Sequence, residues 1–263
     1  MIRRHSVVFD RAADFYDHSR AFPPGEEAAV AAMMARVGGL SPASRVLEIG
    51  VGTGRIALPL APYTGEFYGV DLSQSMMARL RAKQNGEQVH LSLADAAHLP
   101  FPDHSFDAVV VVHVFHLVAS LEGVISELAR VLKPGAPLLH GRNQMDRSIA
   151  ELRSAWQQVV DSERLSASNW GRPVQVLHEL GWRQDGLTRE HRFTHEFVPQ
   201  QAIEGFRQRL WSSTWALTDD EIERGAAVME AMARSRYDDP AQPVMTTSAF
   251  CVDVYNPPAG PDR

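Results

Sequence analysis

Acidic residues and glycines follow three short apolar runs, and their types and spacing suit the binding of a nucleoside. Glu48 stands just before the glycine loop GVGTG at residues 50–54, where bare backbone lets a ligand approach closely. Asp71 ends the next apolar run and Asp95 follows the third. Such carboxylates can accept hydrogen bonds from ribose hydroxyls and from an exocyclic amine such as adenine N6. Leu72 and Met76 could supply apolar contacts to a base, and the Ala96 N–H could meet a ring nitrogen.

The glycine loop differs from a dinucleotide-binding loop in a way that argues against phosphate. A dinucleotide loop reads G-x-G-x-x-G, whereas here Gly54 comes one position early. The acidic Glu48 would repel a pyrophosphate but suits an ammonium group. The residues therefore predict a ligand with adenine, ribose and a cationic amino-acid end. Ordinary roles stay open for each residue: a tight turn, a helix-start acid at Asp71, a structural turn at Asp95, and a Glu48 ion pair with Arg45 or a surface lysine.

Two histidines and an N-terminal pair are further candidates. His113 and His116 follow the valine-rich run DAVVVV and could face the reacting group, although a structural role is equally open for His116. Two histidines at i,i+3 have no third ligand at a useful spacing, so we predict no metal site. Tyr16 and Arg20 lie four residues apart on a predicted helix and share a face, which could also be solvated.

Strand and helix patterns alternate from about residue 45 to 142, which predicts a parallel sheet with helical crossovers. The carboxyl ends of its strands would bring the polar candidates together. Pro59 should shorten the helix that follows the glycine loop. The runs HRFTHEFV and VMTTSAFCVDVY are predicted to complete the sheet, the last as an antiparallel edge member, and residues 145–165 and 219–236 to be helical. We therefore predict an α/β fold with a doubly wound, mostly parallel, seven-stranded sheet, an antiparallel edge strand and a helical lid.

Composition limits the classes of partner. The chain has 263 residues, 44% hydrophobic, with a net charge of 26 − 32 = −6, which disfavours nucleic acid as a ligand. It has no apolar run of membrane-spanning length, so no membrane insertion is expected, and its charged start does not resemble a signal peptide. Cys251 is the only cysteine, which excludes an intrachain disulfide and fits a cytoplasmic location.

Four stretches in order, VLEIGVGTGRIALPLA, FYGVDLSQSMM, LADAAHLPFPDHSFDAVVVVHVFHLV and ELARVLKPGAPLL, resemble the class I S-adenosylmethionine-dependent methyltransferases. The ubiquinone/menaquinone-biosynthesis type is the most similar group. The resemblance covers about residues 40–142 and implies a Rossmann-like methyltransferase fold. FDRAADFYDHSRAFP resembles the N-terminal helix that family members lay over the cofactor. The match departs from the family at Pro59 and at the turn Lys-Pro-Gly-Ala-Pro.

The resemblance implies a role for each candidate. Glu48, Gly50 and Gly52 would hold the methionine end of S-adenosyl-L-methionine, and Val51 and Gly54 of the same loop would be further cofactor-binding residues. Asp71 would hold the ribose; Asp95 and Ala96 would hold the adenine beside Leu72 and Met76. Tyr16 and Arg20 would close over the carboxylate, and His113 would lie near the sulfonium. If a base is needed, the candidates are His113, His116 and Tyr16.

The implied activity is methyl transfer to a small-molecule acceptor. Residues 1–142 would form the cap helices and cofactor core, and residues 143–263 the lid that selects the substrate together with the last two strands, in a single domain. Arg142 and Asn143, just past the fifth strand, could touch the acceptor. Two alternatives stay open, a non-catalytic donor-binding protein and, less consistent with Glu48, a nicotinamide-dependent oxidoreductase. The acceptor, the methylated atom and the oligomeric state, a homodimer included, do not follow from the sequence.

Overall fold

The computed structural model of the chain describes residues 6, 8–10, 17, 21–160 and 172–258. Tyr16 and Arg20 lie outside the described residues. The chain divides into two compact units. Unit one comprises residues 1–142, 170–191 and 250–263, and unit two comprises residues 143–169 and 192–249.

Five strands form the parallel part of the sheet, as the alternating pattern predicts. They are β1 (Arg45–Ile49), β2 (Glu66–Asp71), β3 (Val89–Leu93), β4 (Ala108–Val112) and β5 (Leu138–Gln144). Their order is β3-β2-β1-β4-β5, and every neighbouring pair is parallel. All five residues of β4 are buried, which explains its unbroken run of apolar side chains.

The helices of this half of the chain, one before β1 and three in the crossovers between strands, follow from local sequence signals. They are α1 (Glu26–Val37), α2 (Ala57–Leu60), α3 (Gln74–Lys83) and α4 (Leu121–Val131). Pro59 shortens α2 as predicted: it has four residues and continues as a 3-10 turn over Ala61–Tyr63. Ser73 caps α3, because its Oγ accepts the Met76 N–H at 3.1 Å. Ser120 caps α4 in the same way through the Gly123 N–H.

Three further strands complete the sheet, which has eight strands within the described residues where the sequence predicts seven. They are β6 (Arg183–Gln184), β7 (Arg189–Phe197) and β8 (Val244–Asn256), and the helix α6 (Arg172–Glu179) precedes them. β8 lies between β5 and β6, is antiparallel to β6 and also pairs with β7. The extra strand, β6, has two residues, too few to form a hydrophobic pattern. The antiparallel part of the sheet is therefore built by β8 together with β6 and β7. The last strand, β8, is not itself the edge strand that the sequence predicts, because it lies between β5 and β6.

Unit two has a hydrophobic core of its own, built on α5 (Arg147–Ser154), α7 (Pro199–Arg207) and α8 (Asp219–Arg236). A capping box starts α8, because Thr218 and Glu221 bond each other's backbone N–H groups. This sharp start agrees with the predicted helix over residues 219–236. The core includes Leu152, Trp156, Ile203, Phe206, Trp211, Ile222, Ala226 and Met229.

The register of unit one places the strand ends at one level. Ile49 pairs with Val70 on β2 and with Val111 on β4, and Val111 pairs with His140 on β5. The loops that follow β1, β2, β3 and β4 therefore leave the same edge of the sheet. Within the described part of the chain, no helix is long and apolar enough to cross a membrane.

Candidate functional site

The carboxyl edge of the sheet brings the predicted site residues together. Gly50 directly follows β1, Asp71 is the last residue of β2, Asp95 comes two residues after β3, and His113 directly follows β4. This is the edge at which open parallel sheets bind ligands.

The three loop glycines are all left-handed, with φ of 65°, 55° and 81°, but for different reasons. A Cβ at Gly50 would lie 2.3 Å from Val114 Cγ2, and one at Gly54 would lie 2.7 Å from Leu80 Cγ. Packing within the protein alone therefore requires these two glycines. A Cβ at Gly52 would meet nothing closer than Met76 Cε at 3.4 Å. Gly52 is thus the loop position beside which space remains for a ligand.

Asp71 shapes the glycine loop from the end of β2. Its Oδ2 accepts the Gly52 N–H at 2.8 Å, and its Oδ1 accepts the Ser73 N–H at 2.8 Å. Burial raises the pKa of Asp71 although these backbone bonds act in the opposite direction. Each carboxylate oxygen still has a lone pair to offer. The carboxylate therefore has a structural role and can also accept hydrogen bonds from a ligand.

Glu48 is a buried acid with an unsatisfied oxygen. Its exposed fraction is 3%, and its Oε2 has no hydrogen-bond partner among the residues that the structure describes. Burial raises the pKa of Glu48 well above the usual value; the charge of Arg55 lowers it and that of Asp71 raises it further. The alternative ion pair with Arg45 is wrong, because Arg45 Nε lies 3.1 Å from Glu66 Oε2. A buried acceptor without a partner among the described residues fits an ammonium group and would repel a phosphate.

The residues after β3 form a turn. Asp95 Oδ1 accepts the Ala97 N–H at 3.0 Å, and its carbonyl accepts the His98 N–H. Ala96 and Met76 are buried, whereas Leu72 is partly exposed. The structural turn predicted as an alternative for Asp95 is therefore present, and it leaves the second carboxylate oxygen for a ligand.

Val51, within the glycine loop, packs against β2. Its Cγ2 lies 2.7 Å from the position that a Cβ on Gly69 would take.

Two acidic residues near the N-terminus contact the loops of the site, and the sequence did not single them out. Asp10 accepts hydrogen bonds from the Ser73 hydroxyl at 2.6 Å and from the Ser75 hydroxyl. Asp17 accepts one from the Thr53 hydroxyl at 2.6 Å, within the glycine loop, and pairs with Lys83. Their one sequence signal is their place in the stretch that resembles a cofactor-covering helix.

His113 has a strained backbone, with φ of 58°, which is uncommon for a residue other than glycine. Such strain concentrates at functional sites. The next turn closes through the Leu117 N–H on the Val114 carbonyl at 2.7 Å, and His116 lies within that turn. Both histidines are partly buried. Among the described residues, no three His, Cys, Asp or Glu side chains are placed to hold a metal ion.

Comparison with known proteins agrees with this geometry. Residues 47–139 match a family described as a methyltransferase domain, and this range holds the glycine loop, Asp71, Asp95 and both histidines. The demethylmenaquinone methyltransferase of Thermus thermophilus is 40% identical over 99 residues, which are 36% of this chain and 45% of that protein. The malonyl-[acyl-carrier protein] O-methyltransferase of Methylococcus capsulatus is 32% identical over 186 residues, 70% of this chain and 65% of that one.

A solved structure confirms the fold. The phosphoethanolamine N-methyltransferase 2 of Haemonchus contortus, in complex with phosphomonomethylethanolamine and S-adenosylhomocysteine, superposes with a TM-score of 0.52 at 19% identity. The match covers 94% of this chain and 57% of that one. The predicted resemblance to methyltransferases and the predicted fold class are thus confirmed. The chain spans less than two thirds of the length of the curated relatives named above.

Proposed function

We propose, on the premise that residues 47–139 match a methyltransferase domain, that this chain transfers a methyl group from S-adenosyl-L-methionine to a small-molecule acceptor. The observation that supports the proposal most is the buried Oε2 of Glu48, which has no hydrogen-bond partner among the described residues and belongs to β1 just before the glycine loop, whose open position is Gly52. A ligand with an ammonium end and no phosphate suits this place. The nicotinamide alternative would put a diphosphate against a buried acid.

The proposal gives each residue a role toward the donor. Glu48 binds the ammonium group, and the backbone around Gly52 lies against the methionine end, with Gly50, Val51 and Gly54 shaping the loop. Asp71 binds the ribose hydroxyls. Asp95 and the Ala96 N–H bind the adenine edge, with Leu72 and Met76 against its faces. Tyr16 and Arg20, outside the described residues, remain proposed contacts of the donor's carboxylate.

The donor supplies a methyl group already activated on a sulfonium, so the protein need not create an electrophile. The work left to its residues is to align the acceptor with that methyl group and to exclude water. A base is required only if the acceptor must lose a proton. His113 is the first candidate because it directly follows β4 at the level of the glycine loop; His116 and Tyr16 are the others.

The setting that we propose follows from composition. The net charge of −6 favours a small-molecule acceptor over nucleic acid, and the single cysteine favours a reducing cytoplasm.

Thermal denaturation with S-adenosylhomocysteine and, separately, with NAD tests the donor assignment. A ligand at 100 times its Kd stabilises the native state by about 2.7 kcal/mol. For a chain of this size, that corresponds to a rise in Tm of roughly 5–10 °C. We expect this rise with S-adenosylhomocysteine alone. Stabilisation by NAD and not by S-adenosylhomocysteine would overturn the proposal.

Replacement of Asp71 by alanine is expected to weaken S-adenosylhomocysteine binding by about 1–3 kcal/mol, the usual loss when a polar partner is removed. Two losses combine, since the variant lacks the ribose acceptor and frees the Gly52 N–H. Isothermal titration calorimetry measures the change. Glu66→Ala, at the opposite end of the same strand, is the matched control and should bind normally. Unchanged affinity in Asp71→Ala would reject the ribose role.

A further inference from the structure

Three polar residues meet on one face of the sheet beyond the proposed donor residues, and we call them the β5 cluster: His140, Arg142 and Asp253. His140 and Arg142 are two residues apart on β5 and therefore share a face. Arg142 Nη2 lies 3.3 Å from Asp253 Oδ2, on the neighbouring strand β8. The charges of Asp253 and Arg142 both act on the pKa of His140, which places the three groups within electrostatic reach.

Asp253 is a fixed anchor for the arginine. Its side chain is 6% exposed, and its Oδ1 accepts hydrogen bonds from Thr188 Oγ1 at 2.5 Å and Gln184 Nε2 at 3.1 Å. Arg142, which also bonds the buried Cys251 thiol, is 40% exposed. A guanidinium held from behind by a buried acid, with its outer part accessible, is pre-organised to bind a planar anionic group.

His140 has an unsatisfied ring nitrogen beside this arginine. Its Nδ1 is buried and has no hydrogen-bond partner in the described part of the chain, and its ring centroid lies 5.1 Å from that of Phe115, in the loop after β4. Desolvation lowers the pKa of His140 to about 4, so the ring is neutral at pH 7. A neutral imidazole can donate one hydrogen bond and accept another. A buried nitrogen without a partner is costly, and a ligand hydroxyl would satisfy it.

The position of the cluster points to the acceptor and not to the donor. In the strand register, His140 pairs with Val111, which pairs in turn with Ile49. Arg142 follows Gly141, and Gly141 pairs with Val112 at the end of β4. The ends of β1, β2 and β3 hold the residues proposed for the donor. Since ligands of open parallel sheets lie across the carboxyl ends of the strands, the ends of β4 and β5 are left for the second substrate.

We propose that the β5 cluster binds an acidic oxygen group of the methyl acceptor, either a carboxylate or an ionisable phenolic or enolic hydroxyl. This inference rests on the proposed function. Arg142 provides the positive charge, and His140 provides a neutral hydrogen-bonding partner beside it. An ammonium group is disfavoured, because the guanidinium would repel it and the Asp253 carboxylate behind is buried and already bonded.

The test uses two probes of the same shape and opposite charge, benzoate and benzylamine. Each is titrated by calorimetry into the full-length protein saturated with S-adenosylhomocysteine. We expect benzoate to bind more tightly than benzylamine, and Arg142→Gln to weaken benzoate binding at least tenfold. Arg142→Lys, which keeps the charge but not the planar fork, should give an intermediate loss. Arg45→Gln, an arginine paired with Glu66 at the start of β1, is the matched control and should leave benzoate binding unchanged.

Arg142→Gln leaves the Asp253 carboxylate buried without its cation, which could prevent folding. The double variant Arg142→Gln/Asp253→Asn removes both charges and serves in that case. Tighter binding of benzylamine, binding of neither probe, or equal benzoate affinity in wild type and variants would overturn the inference. S-adenosylhomocysteine affinity is measured first for every protein. Its absence in the wild type would contradict the proposed function, whereas its presence without acid selectivity contradicts only this inference.

Discussion

Glu48→Gln is expected to make the ligand-free protein more stable at neutral pH while it loses most of its affinity for S-adenosylhomocysteine. The wild-type carboxylate is buried with one oxygen unpaired, so its charged form is penalised in the folded state. Glutamine removes that charge with little change of shape. Hydrogen bonds to charged groups contribute about 1.5–3 kcal/mol, so the affinity should fall roughly 10- to 100-fold.

The pH dependence of stability has a definite sign. Because the folded-state pKa of Glu48 lies above the usual 4.5, the native state holds a proton that the unfolded chain releases. The stabilisation from this proton is complete below pH 4.5 and is lost as the pH rises through the raised pKa. The Tm difference between Glu48→Gln and wild type should therefore grow with pH above 4.5. Glu66→Gln, at a side chain that is 53% exposed, is measured beside it as the control for removing a surface carboxylate.

Binding of the donor should also displace that proton. An ammonium group beside Glu48 lowers the carboxyl pKa, so the wild type should release protons on binding, and the binding enthalpy should depend on the ionisation enthalpy of the buffer. Glu48→Gln should show no such dependence. If the variant binds S-adenosylhomocysteine as tightly as the wild type, the ammonium role of Glu48 is wrong.

Gly52→Val is expected to remove S-adenosylhomocysteine binding. A branched side chain would occupy the open space beside the loop, and overpacking costs about 1–3 kcal/mol or more, a fall of roughly 10- to 100-fold at least. The left-handed backbone, with φ of 55°, adds strain of about 1–2 kcal/mol to the fold. Calorimetry reports the affinity, and thermal denaturation reports the strain.

Gly39→Val separates these two effects. Gly39 has a similar φ of 61°, and a Cβ there would meet nothing within 4 Å. It precedes β1, at the opposite end of that strand from the glycine loop. We expect the same loss of Tm in both variants but normal ligand affinity in Gly39→Val. Equal affinity in the two would show that Gly52 does not border the ligand.

The parallel half of the fold could be predicted because its signals are local. Apolar runs of strand length, the cap at Ser73 and the stop after Val131 each act within a few residues. The strand ends then follow from topology, which is why Asp71, Asp95 and His113 could be placed at one edge before any coordinates. Pro59 is a further local signal. Its ring removes one backbone N–H, and this shortens α2 whatever the conformation of the rest of the chain.

Features that depend on contacts between residues far apart in the chain could not be predicted, because no local signal marks them. The two-residue β6 exists only because it pairs with Tyr255 and Asn256, more than 70 positions later. The unpaired oxygen of Glu48 could not be predicted either, because it depends on which side chains the folded chain brings to it; Arg45, three residues earlier on β1, lies on the opposite face and pairs with Glu66. Similarly, nothing in the composition of β5 reveals that Asp253 stands behind Arg142.

The contacts of Asp10 and Asp17 have a consequence for the pace of turnover. Both acids hold hydroxyl groups that belong to the loops around the proposed nucleoside, one at the start of α3 and one on Thr53. On the proposed function, we expect release of the spent donor to require these contacts to open. The residence time of the product, more than its equilibrium affinity, would then depend on the strength of the hydrogen bonds that Asp10 accepts from Ser73 and Asp17 accepts from Thr53.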